Sequence, residues 1–278
     1  MKKFTTKLLM SIIAVAFAFV ALGTSTYAWF SMNTQVSVSS MDIGAKSNVT
    51  YLLVSRSNMG DDAPANAAAI QAENEGAGYT SVTISTAAKE VYPVAPATAL
   101  EFYTAADESE NAEHKEGHTK TKTEYVAGTG VAAPTLWYTM QGTSPNEGGH
   151  TGIANTEQNV TATVFTDYVL KYTFYFTIAE GASAATNLVV SNATFTNATG
   201  AAAPTGLRCL VVGSAGSAIL TPSTTSSATV LVSALDSATV SAVTVYIYLD
   251  GNDASVYTNN ITNLTGKVAL DFTVTAGN

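Results

Sequence analysis

The sequence has few of the residues on which most enzyme and metal sites depend. It contains one cysteine, Cys209, which excludes an internal disulfide framework and is expected to be a small buried hydrophobe. The chain has only three histidines, which are few to serve as ligands of a zinc site. Charged residues make up only 12% of the chain, and the net charge of −9 means that it lacks the basic stripe required to bind nucleic acid. The composition therefore points away from most enzyme classes, and no cofactor is expected.

The first 28 residues have the three-part pattern of an export signal. Three lysines near the start precede an apolar run at 8–22, which only Ser11 interrupts. Small and polar residues follow, and they end at Ala28. This order is typical of a secretory signal, with Thr26 and Ala28 at the −3 and −1 positions of the cut. We therefore predict a cleavable N-terminal signal helix over residues 1–28, cut by signal peptidase between Ala28 and Trp29.

The length of the apolar run distinguishes a signal from a membrane anchor. At about 15 residues, the run is shorter than the roughly 20 that span a bilayer. The alternative is an uncleaved anchor, with Tyr27, Trp29 and Phe30 as an aromatic belt at the membrane surface. The rest of the sequence has no second apolar run of membrane length. The expected product is secreted, extracellular or at the cell surface, and touches the membrane only through the signal segment before cleavage.

Alternation of apolar and polar residues, typical of β-strands, dominates the second half of the sequence. It is clearest at 168–178, 243–249 and 268–274, and weaker at 188–195, 207–212 and 229–235. Candidates in the first half are 49–55, 81–86, 91–94 and 136–140. The clear strands each have one apolar and one polar face, as in antiparallel sheets with a solvated side. The predicted fold is all-β, a single antiparallel β-sandwich of jelly-roll type over residues 29–278.

Long polar insertions are expected between residues 56 and 160. The Ala-rich stretch at 61–78 favours one short helix, with Asp62 as N-cap and Pro64 near the first turn. Residues 107–122 carry mixed charge, and residues 141–158 are rich in glycine and polar side chains. Both stretches are predicted to be surface loops. This region should therefore hold elaborated loops, short strands and at most a short helix.

The N-terminus that cleavage would create has the pattern of a strand. Its apolar side chains on one face are Phe30, Met32, Val36 and Val38. The phase then shifts, because the next apolar residues stand at odd positions, 41 and 43, and this predicts a β-bulge near residues 39–40. Two interpretations remain open. The segment is either the first strand of its own sandwich or a strand that pairs with an open sheet edge of another copy.

Two motifs resemble a group of exported bacterial proteins. Residues 25–33, STYAWFSMN, resemble the processing region of the TasA/camelysin group, whose members a dedicated signal peptidase cuts before an aromatic-bearing N-terminus. Residues 245–253, VYIYLDGND, together with the closing strand from Lys267, resemble the late strand, turn and last strand of that group. The likeness covers the two ends of the chain and leaves the middle without a counterpart.

The resemblance implies a jelly-roll subunit of the extracellular fibres or biofilm matrix of Gram-positive bacteria. In that group, the N-terminal strand of one subunit completes a sheet of the next. Carried over to this chain, the donor strand lies within residues 29–44, the four apolar residues named above anchor it, and the partner is the chain itself. Such a head-to-tail contact propagates into a filament. The expected function is a secreted, non-enzymatic structural subunit that assembles by donor-strand complementation.

The alternative function is a monomeric cell-surface adhesin or carbohydrate-binding β-sandwich that uses the long loops. Tyr246 and Tyr248 are candidates for a sugar-binding platform, although the same rings could lie under a neighbouring sheet or between filament subunits. A hydrolase would need a clustered acid, base or metal. No Ser/His/Asp arrangement for nucleophilic catalysis stands out in the sequence.

Two weak motifs hold possible metal ligands. His114 and His118 are four residues apart, but a glycine between them and polar neighbours favour a loop over a helix that would align them. The residues Asp250, Asn252 and Asp253 form an oxygen-rich turn that calcium could bind. The turn lacks the spacing and the distant glutamate of a calcium loop, so an Asx-type turn is favoured there. No metal site is therefore expected.

Overall fold

The structure is a computed structural model in which the chain divides into two compact units, Met1–Gln35 and Val36–Asn278. All residues that the structure describes lie in the second unit. They are residues 37–38, 42–47, 52–55, 64–74, 81–85, 89–90, 93–103, 119–139, 158–159, 168–196, 203, 205–253, 255–256 and 267–276.

The described residues form sixteen strands and one helix, α1 (Ala67–Asn74). The strands are β1 (Ser37–Val38), β2 (Asp42–Ser47), β3 (Leu52–Val54), β4 (Ser81–Ser85), β5 (Lys89–Glu90), β6 (Val94–Phe102), β7 (Thr119–Glu124), β8 (Leu136–Thr139), β9 (Gln158–Asn159), β10 (Val169–Ile178), β11 (Ala185–Thr196), β12 (Leu207–Val212), β13 (Ser217–Leu220), β14 (Ser227–Leu235), β15 (Ser241–Leu249) and β16 (Lys267–Ala276).

These strands are arranged in four sheets. Sheet I has the order β13-β12-β15-β10-β3, sheet II the order β14-β11-β16-β2-β4, and sheet III the order β7-β6-β8-β9, while β1 and β5 form a separate pair. Among the described strand pairs, only β2 and β16 run parallel. The class predicted from alternation, mostly antiparallel β-sheet with one short helix, is confirmed.

Sheet I is buried on both faces of its two central strands, β10 and β15. Along β10, Leu170 and Phe174 belong to the main hydrophobic cluster, whereas Val169 and Tyr175 on the opposite face belong to two further clusters. Of the residues in β10, only Lys171 is exposed. β15 divides its alternate residues between clusters in the same way. The predicted solvated face is therefore wrong for these two strands, because residues of sheet III and of α1 pack against it.

The main hydrophobic cluster joins sheets I and II. It combines residues of β10, β12 and β15 with residues of β11, β14 and β16. The rings of Phe176 in β10 and Phe272 in β16 lie 4.9 Å apart between centroids. In β16 the predicted alternation is confirmed, because Val268, Leu270 and Phe272 are buried and the residues between them are partly exposed. Each fully buried side chain of this size contributes about 1.5–3 kcal/mol, so this cluster is the largest source of stability in the described fold.

Helix α1 confirms the predicted short helix but begins later than expected. The N–H of Ala69 donates to the side-chain oxygen of Asn66 at 3.0 Å, so Asn66 is the N-cap. The predicted cap, Asp62, lies outside the described residues. The helix packs Ile70 with Leu53 and Tyr175 in a small cluster on sheet I. It therefore covers part of the face that the sequence pattern assigned to solvent.

Sheet III contains the largest departures from the predicted elements. β7 overlaps the expected surface loop at 107–122, because its alternating Thr and Lys residues give an edge strand no apolar signal. β6 extends far beyond the short strand predicted at 91–94 and includes Pro96. The carbonyl of Pro96 accepts from the Tyr125 N–H at 3.2 Å. Pro96 lies just outside the β6–β7 ladder, which begins at Ala97, so the N–H that proline lacks interrupts no bond of that ladder. The four-residue β13 was not predicted.

A close backbone approach at Gly213 provides a test of this packing. A Cβ at Gly213 would lie 2.1 Å from the Leu231 carbonyl oxygen, whereas a Cβ at Gly128 would meet only the Val131 side chain at 3.7 Å. We expect Gly213→Ala to lower the free energy of unfolding by about 1–3 kcal/mol through overpacking. The control, Gly128→Ala, should stay within about 1 kcal/mol of the wild type. Urea unfolding checks both variants, and equal losses would contradict the described approach of the two backbones.

Candidate functional site

The turn after β15 holds the acidic residues that the sequence offered as possible cation ligands. The N–H of Asn252 donates to the Asp250 carboxylate at 3.0 Å, and the N–H of Ser255 donates to the Asp253 carboxylate at 2.8 Å. The backbone N–H of Asp253 donates to the Asp250 carbonyl at 3.0 Å. Each aspartate therefore caps the backbone two residues ahead of it. This confirms the predicted Asx-type turn.

Arg208 is the cation that faces both carboxylates. Its Nε lies 3.1 Å from Asp250 Oδ2, and its Nη2 lies 2.7 Å from Asp253 Oδ2. The guanidinium also donates to the Thr205 carbonyl. β12 pairs with β15 so that Arg208 stands opposite Tyr248, two residues before Asp250, and this register brings the side chain to the turn. The three charged side chains are 15–20% exposed, so the ion pairs are largely shielded from water.

The two carboxyl groups respond to this environment in opposite ways. Burial raises the pKa of Asp250 above its ordinary value, and Arg208 and the Asn252 N–H offset only part of that rise. Burial also acts to raise the pKa of Asp253, but hydrogen bonds from Ser255 and Arg208 outweigh it and lower that pKa. Arg208 thus favours the ionised form of both carboxyl groups in a poorly solvated turn.

This arrangement assigns the turn a structural role. Arg208 already occupies the position on the two carboxylates that a bound cation would need. Within the described part of the chain, no group of three or more His, Cys, Asp or Glu side chains is placed to hold a metal ion. The other candidate ligands, His114 and His118, lie outside the described residues.

The same turn connects sheet I to sheet III. The side-chain amide of Asn252 donates to the Tyr138 hydroxyl at 2.9 Å, and the Gly251 N–H donates to the Val94 carbonyl at 3.2 Å. Lys122 Nζ lies 4.9 Å from the centroid of the Tyr138 ring and 3.4 Å from the side-chain oxygen of Asn252. Burial raises the pKa of Tyr138, partly offset by its bond to Asn252. The turn is therefore fixed by β12 on one side and by β6 and β8 on the other.

The tyrosines of β15 do not form an exposed sugar-binding platform. Tyr246 is 9% exposed and Tyr248 is 2% exposed. The Trp137 ring of sheet III lies 5.8 Å from the Tyr246 ring and meets the Tyr248 ring edge-on at 5.2 Å. Of the predicted alternatives, burial under a neighbouring sheet is the one observed. Cys209 is likewise fully buried as expected, and burial raises the pKa of its thiol.

The proposed assembly strand lies mostly outside the described residues. Ala28, Trp29, Phe30, Met32 and Val36 belong to that part of the chain. The backbone of Ser37–Val38 pairs with Lys89–Glu90, with Val38 opposite Lys89. Residues 42–44 of the candidate donor strand belong to β2, between β16 and β4 of sheet II. The predicted single bulged strand is therefore wrong, because its described parts lie in two different sheets.

The signal segment at 1–28 is also outside the described residues, so its helix and its cut stay predictions. Among the described helices, none is both long and apolar enough to cross a membrane.

Arg208 is the site residue that reasoning from the sequence missed. It is one of two arginines in the chain and stands in the otherwise apolar strand LRCLVV. A charge in such a strand requires a partner, because burying an unpaired charge is costly. That signal was present, but the register of β12 against β15 was needed to identify which carboxylates supply the partner.

The ion-pair cluster can be tested by removing its cation while keeping the aliphatic bulk. Arg208→Met leaves Asp250 and Asp253 without their guanidinium, and we expect it to lower the free energy of unfolding by about 2–4 kcal/mol. The matched control is Lys120→Met, because Lys120 pairs with Glu101 at 3.5 Å on an exposed edge. That variant should lose at most about 1 kcal/mol. Similar losses measured by urea unfolding would show that the cluster adds nothing beyond a surface pair.

The opposite pKa shifts predict opposite pH dependences. A raised pKa means that Asp250 favours folding at low pH and that this contribution is lost as the pH rises through that pKa. The lowered pKa of Asp253 gives a contribution that is present above its ordinary value and lost as the pH falls. Relative to the wild type, Asp250→Asn should therefore gain stability as the pH rises above about 3.9, the ordinary pKa of aspartate. Asp253→Asn should lose stability relative to the wild type as the pH rises towards that value from below. Urea unfolding at several pH values measures both trends, and trends of the same sign would contradict the assignment.

Comparison with known proteins identifies no relative of this chain. No family model, no curated protein and no solved structure matches the chain. The likeness to the TasA/camelysin group therefore stays a prediction that depends on the motifs at the two ends of the sequence.

Proposed function

We propose that the chain is a secreted structural subunit of extracellular filaments or biofilm matrix, which donates its N-terminal strand to the next copy. Residues 1–28 are the signal that signal peptidase removes after Ala28. Residues 29–278 fold as one β-sandwich of jelly-roll type with no catalytic role. The partner is another copy of the chain, in a head-to-tail homopolymer at the cell surface.

The position of Ser37–Val38 is the observation that supports this proposal. Its pairing with Lys89–Glu90 is a two-residue ladder outside sheets I, II and III. The strand that sheet II takes from this part of the chain is β2, which has a neighbour on each side. At the residues described, the segment before β2 thus contributes to neither five-stranded sheet. This counts against the interpretation in which it is the first strand of its own sandwich.

The residues before β2 have the chemistry of a donated strand. Main-chain bonds to an open edge supply affinity, and pockets for alternate side chains fix the register. The side chains available for such pockets are Phe30, Met32, Val36 and Val38. Each contributes about 1.5–3 kcal/mol if fully buried. Because cleavage creates the free end only during export, pairing would follow secretion, and each added copy would present a new donor strand.

The competing function is a monomeric adhesin or carbohydrate-binding protein, and the tyrosines that were candidates for its sugar-binding surface are not exposed. Tyr246 and Tyr248 are buried against Trp137 and cannot stack on a sugar. Size-exclusion chromatography at rising concentration separates the two functions, because an adhesin stays monomeric and a filament subunit polymerises.

The donor role is tested by placing charge on the apolar face of the segment. The double variant Val36→Asp with Val38→Asp should form folded monomers and no filaments, because two carboxylates cannot enter apolar pockets without a large desolvation cost. Electron microscopy measures filaments, and circular dichroism checks the fold.

The matched control adds the same charge to the polar face. Asn33→Asp with Gln35→Glu also introduces two carboxylates, but these side chains would face solvent, so filaments should persist. Unchanged filaments in the Val36 and Val38 variant would refute the donor role. Sequencing the N-terminus of extracellular protein checks the cut before Trp29.

A further inference from the structure

Two strands that end the five-stranded sheets, β13 of sheet I and β14 of sheet II, carry no charged residue. Natural proteins protect edge strands with charge, proline or a covering segment, because the unpaired N–H and C=O groups of an edge can pair with another chain. β7, which ends sheet III on one side, has two lysines. β13 and β14 lack this protection by charge.

The segment between β7 and β8 covers part of the β13 edge. We call residues 125–132 the strap. The Ser217 N–H donates to the Gly128 carbonyl at 2.9 Å, and the Gly130 N–H donates to the Ala215 carbonyl at 2.8 Å. The two bonds flank an isolated antiparallel bridge. The middle of the strap therefore occupies the place beside β13 that a strand of another chain would need.

The same corner also closes the edge of β14. The Ala215 N–H donates to the Leu231 carbonyl at 2.8 Å. A Cβ at Gly216 would lie 2.8 Å from the Gly128 carbonyl oxygen and 2.9 Å from the Val230 carbonyl oxygen. The strap, the turn before β13 and β14 thus meet backbone to backbone. One segment therefore helps to close the edges of both five-stranded sheets.

A buried tyrosine fastens the two ends of the strap. The Tyr125 hydroxyl donates to the Ala132 carbonyl at 2.8 Å and lies 2.7 Å from Ser217 Oγ. Both Tyr125 and Ser217 are buried. Ala127 and Val131 pack against the cluster that joins sheets I and III. Side chains therefore hold the strap at its ends, and backbone bonds hold its middle on the edge.

The middle of the strap depends on the backbone conformation of Gly130. Its φ is +74°, in the left-handed region, and a Cβ there would have no described atom within 4 Å apart from its chain neighbours. A larger residue at Gly130 therefore strains the backbone without a steric clash. Gly181, in the turn between β10 and β11, has a φ of +80° and the same open space. It provides a matched control away from the strap.

We propose that the strap is an edge guard, which occupies the backbone groups of residues 215–217 and so prevents copies of the chain from pairing through β13 and β14. When the strap is displaced, this edge pairs with the same edge of a second copy in a twofold contact. The inference does not depend on strand donation. It identifies a side of the molecule that is closed to assembly.

The variant Gly130→Val tests the edge guard. We expect hydrogen exchange of the Ser217 amide, followed by NMR, to become about tenfold faster, because the strained strap opens more often. Sedimentation velocity should then show dimers or larger species. Gly181→Val carries the same strain at a distant turn and should leave both measurements unchanged. Both variants are made in protein with Val36→Asp and Val38→Asp, so that strand donation adds no species.

Association of the Gly130→Val variant and not of the Gly181→Val variant supports the edge guard. Faster exchange at Ser217 without association overturns it, because the opened edge then does not pair. Equal association of the two variants also overturns it, because general destabilisation would explain the result.

A stronger variant covers the case in which the strap stays in place. Tyr125→Phe added to Gly130→Val also removes the hydroxyl that fastens the ends of the strap. Unchanged exchange at Ser217 in this variant overturns the proposal, because the strap then does not depend on these contacts. Association together with faster exchange supports it. Strand donation is tested separately by the filaments of the protein without these changes.

Discussion

The burial of sheet I on both faces is the constraint on which the rest of the described structure depends. β10 and β15 divide their alternate residues between the main cluster and the clusters formed with sheet III and α1. Polar groups around such strands must find partners within the protein. The Thr177 hydroxyl accordingly lies 3.0 Å and 2.9 Å from the carbonyls of Asp236 and Thr239, and Gln71 of α1 donates to those of Ile178 and Ser237. The peripheral elements therefore cover the central strands and also supply hydrogen-bond partners for their polar groups.

The acidic turn shows how the same constraint shapes a polar site. Arg208 leaves an apolar strand next to β15, and the turn that follows β15 supplies the two carboxylates that make its burial tolerable. Asn252 then carries the connection onward to Tyr138 in sheet III. The turn that resembles a cation site in the sequence therefore connects two sheets. The positive charge next to its carboxylates is supplied by Arg208 of the same chain.

The strand proposed for donation and the parallel strand β2 follow each other near the N-terminus of the chain. β2 fills the place between β16 and β4, so sheet II takes its N-terminal strand from residues 42–47 and not from the residues before them. β3 then adds only three residues to sheet I. At the residues described, the segment before β2 contributes to neither five-stranded sheet, and this position supports the proposed strand donation. The observation does not depend on the resemblance to the TasA/camelysin group.

The sequence by itself determined the fold class and most strands of the second half, because alternation along a strand reports local burial directly. β12 was predicted with its observed ends, and the Asx turn at Asp250 followed from local side-chain chemistry. Only the tertiary structure decided that both faces of β10 and β15 are buried, that β7 is a strand, and that Arg208 is the partner of the acidic turn. These features depend on contacts between residues far apart in sequence, and the periodicity of one strand contains no information about what packs against its second face.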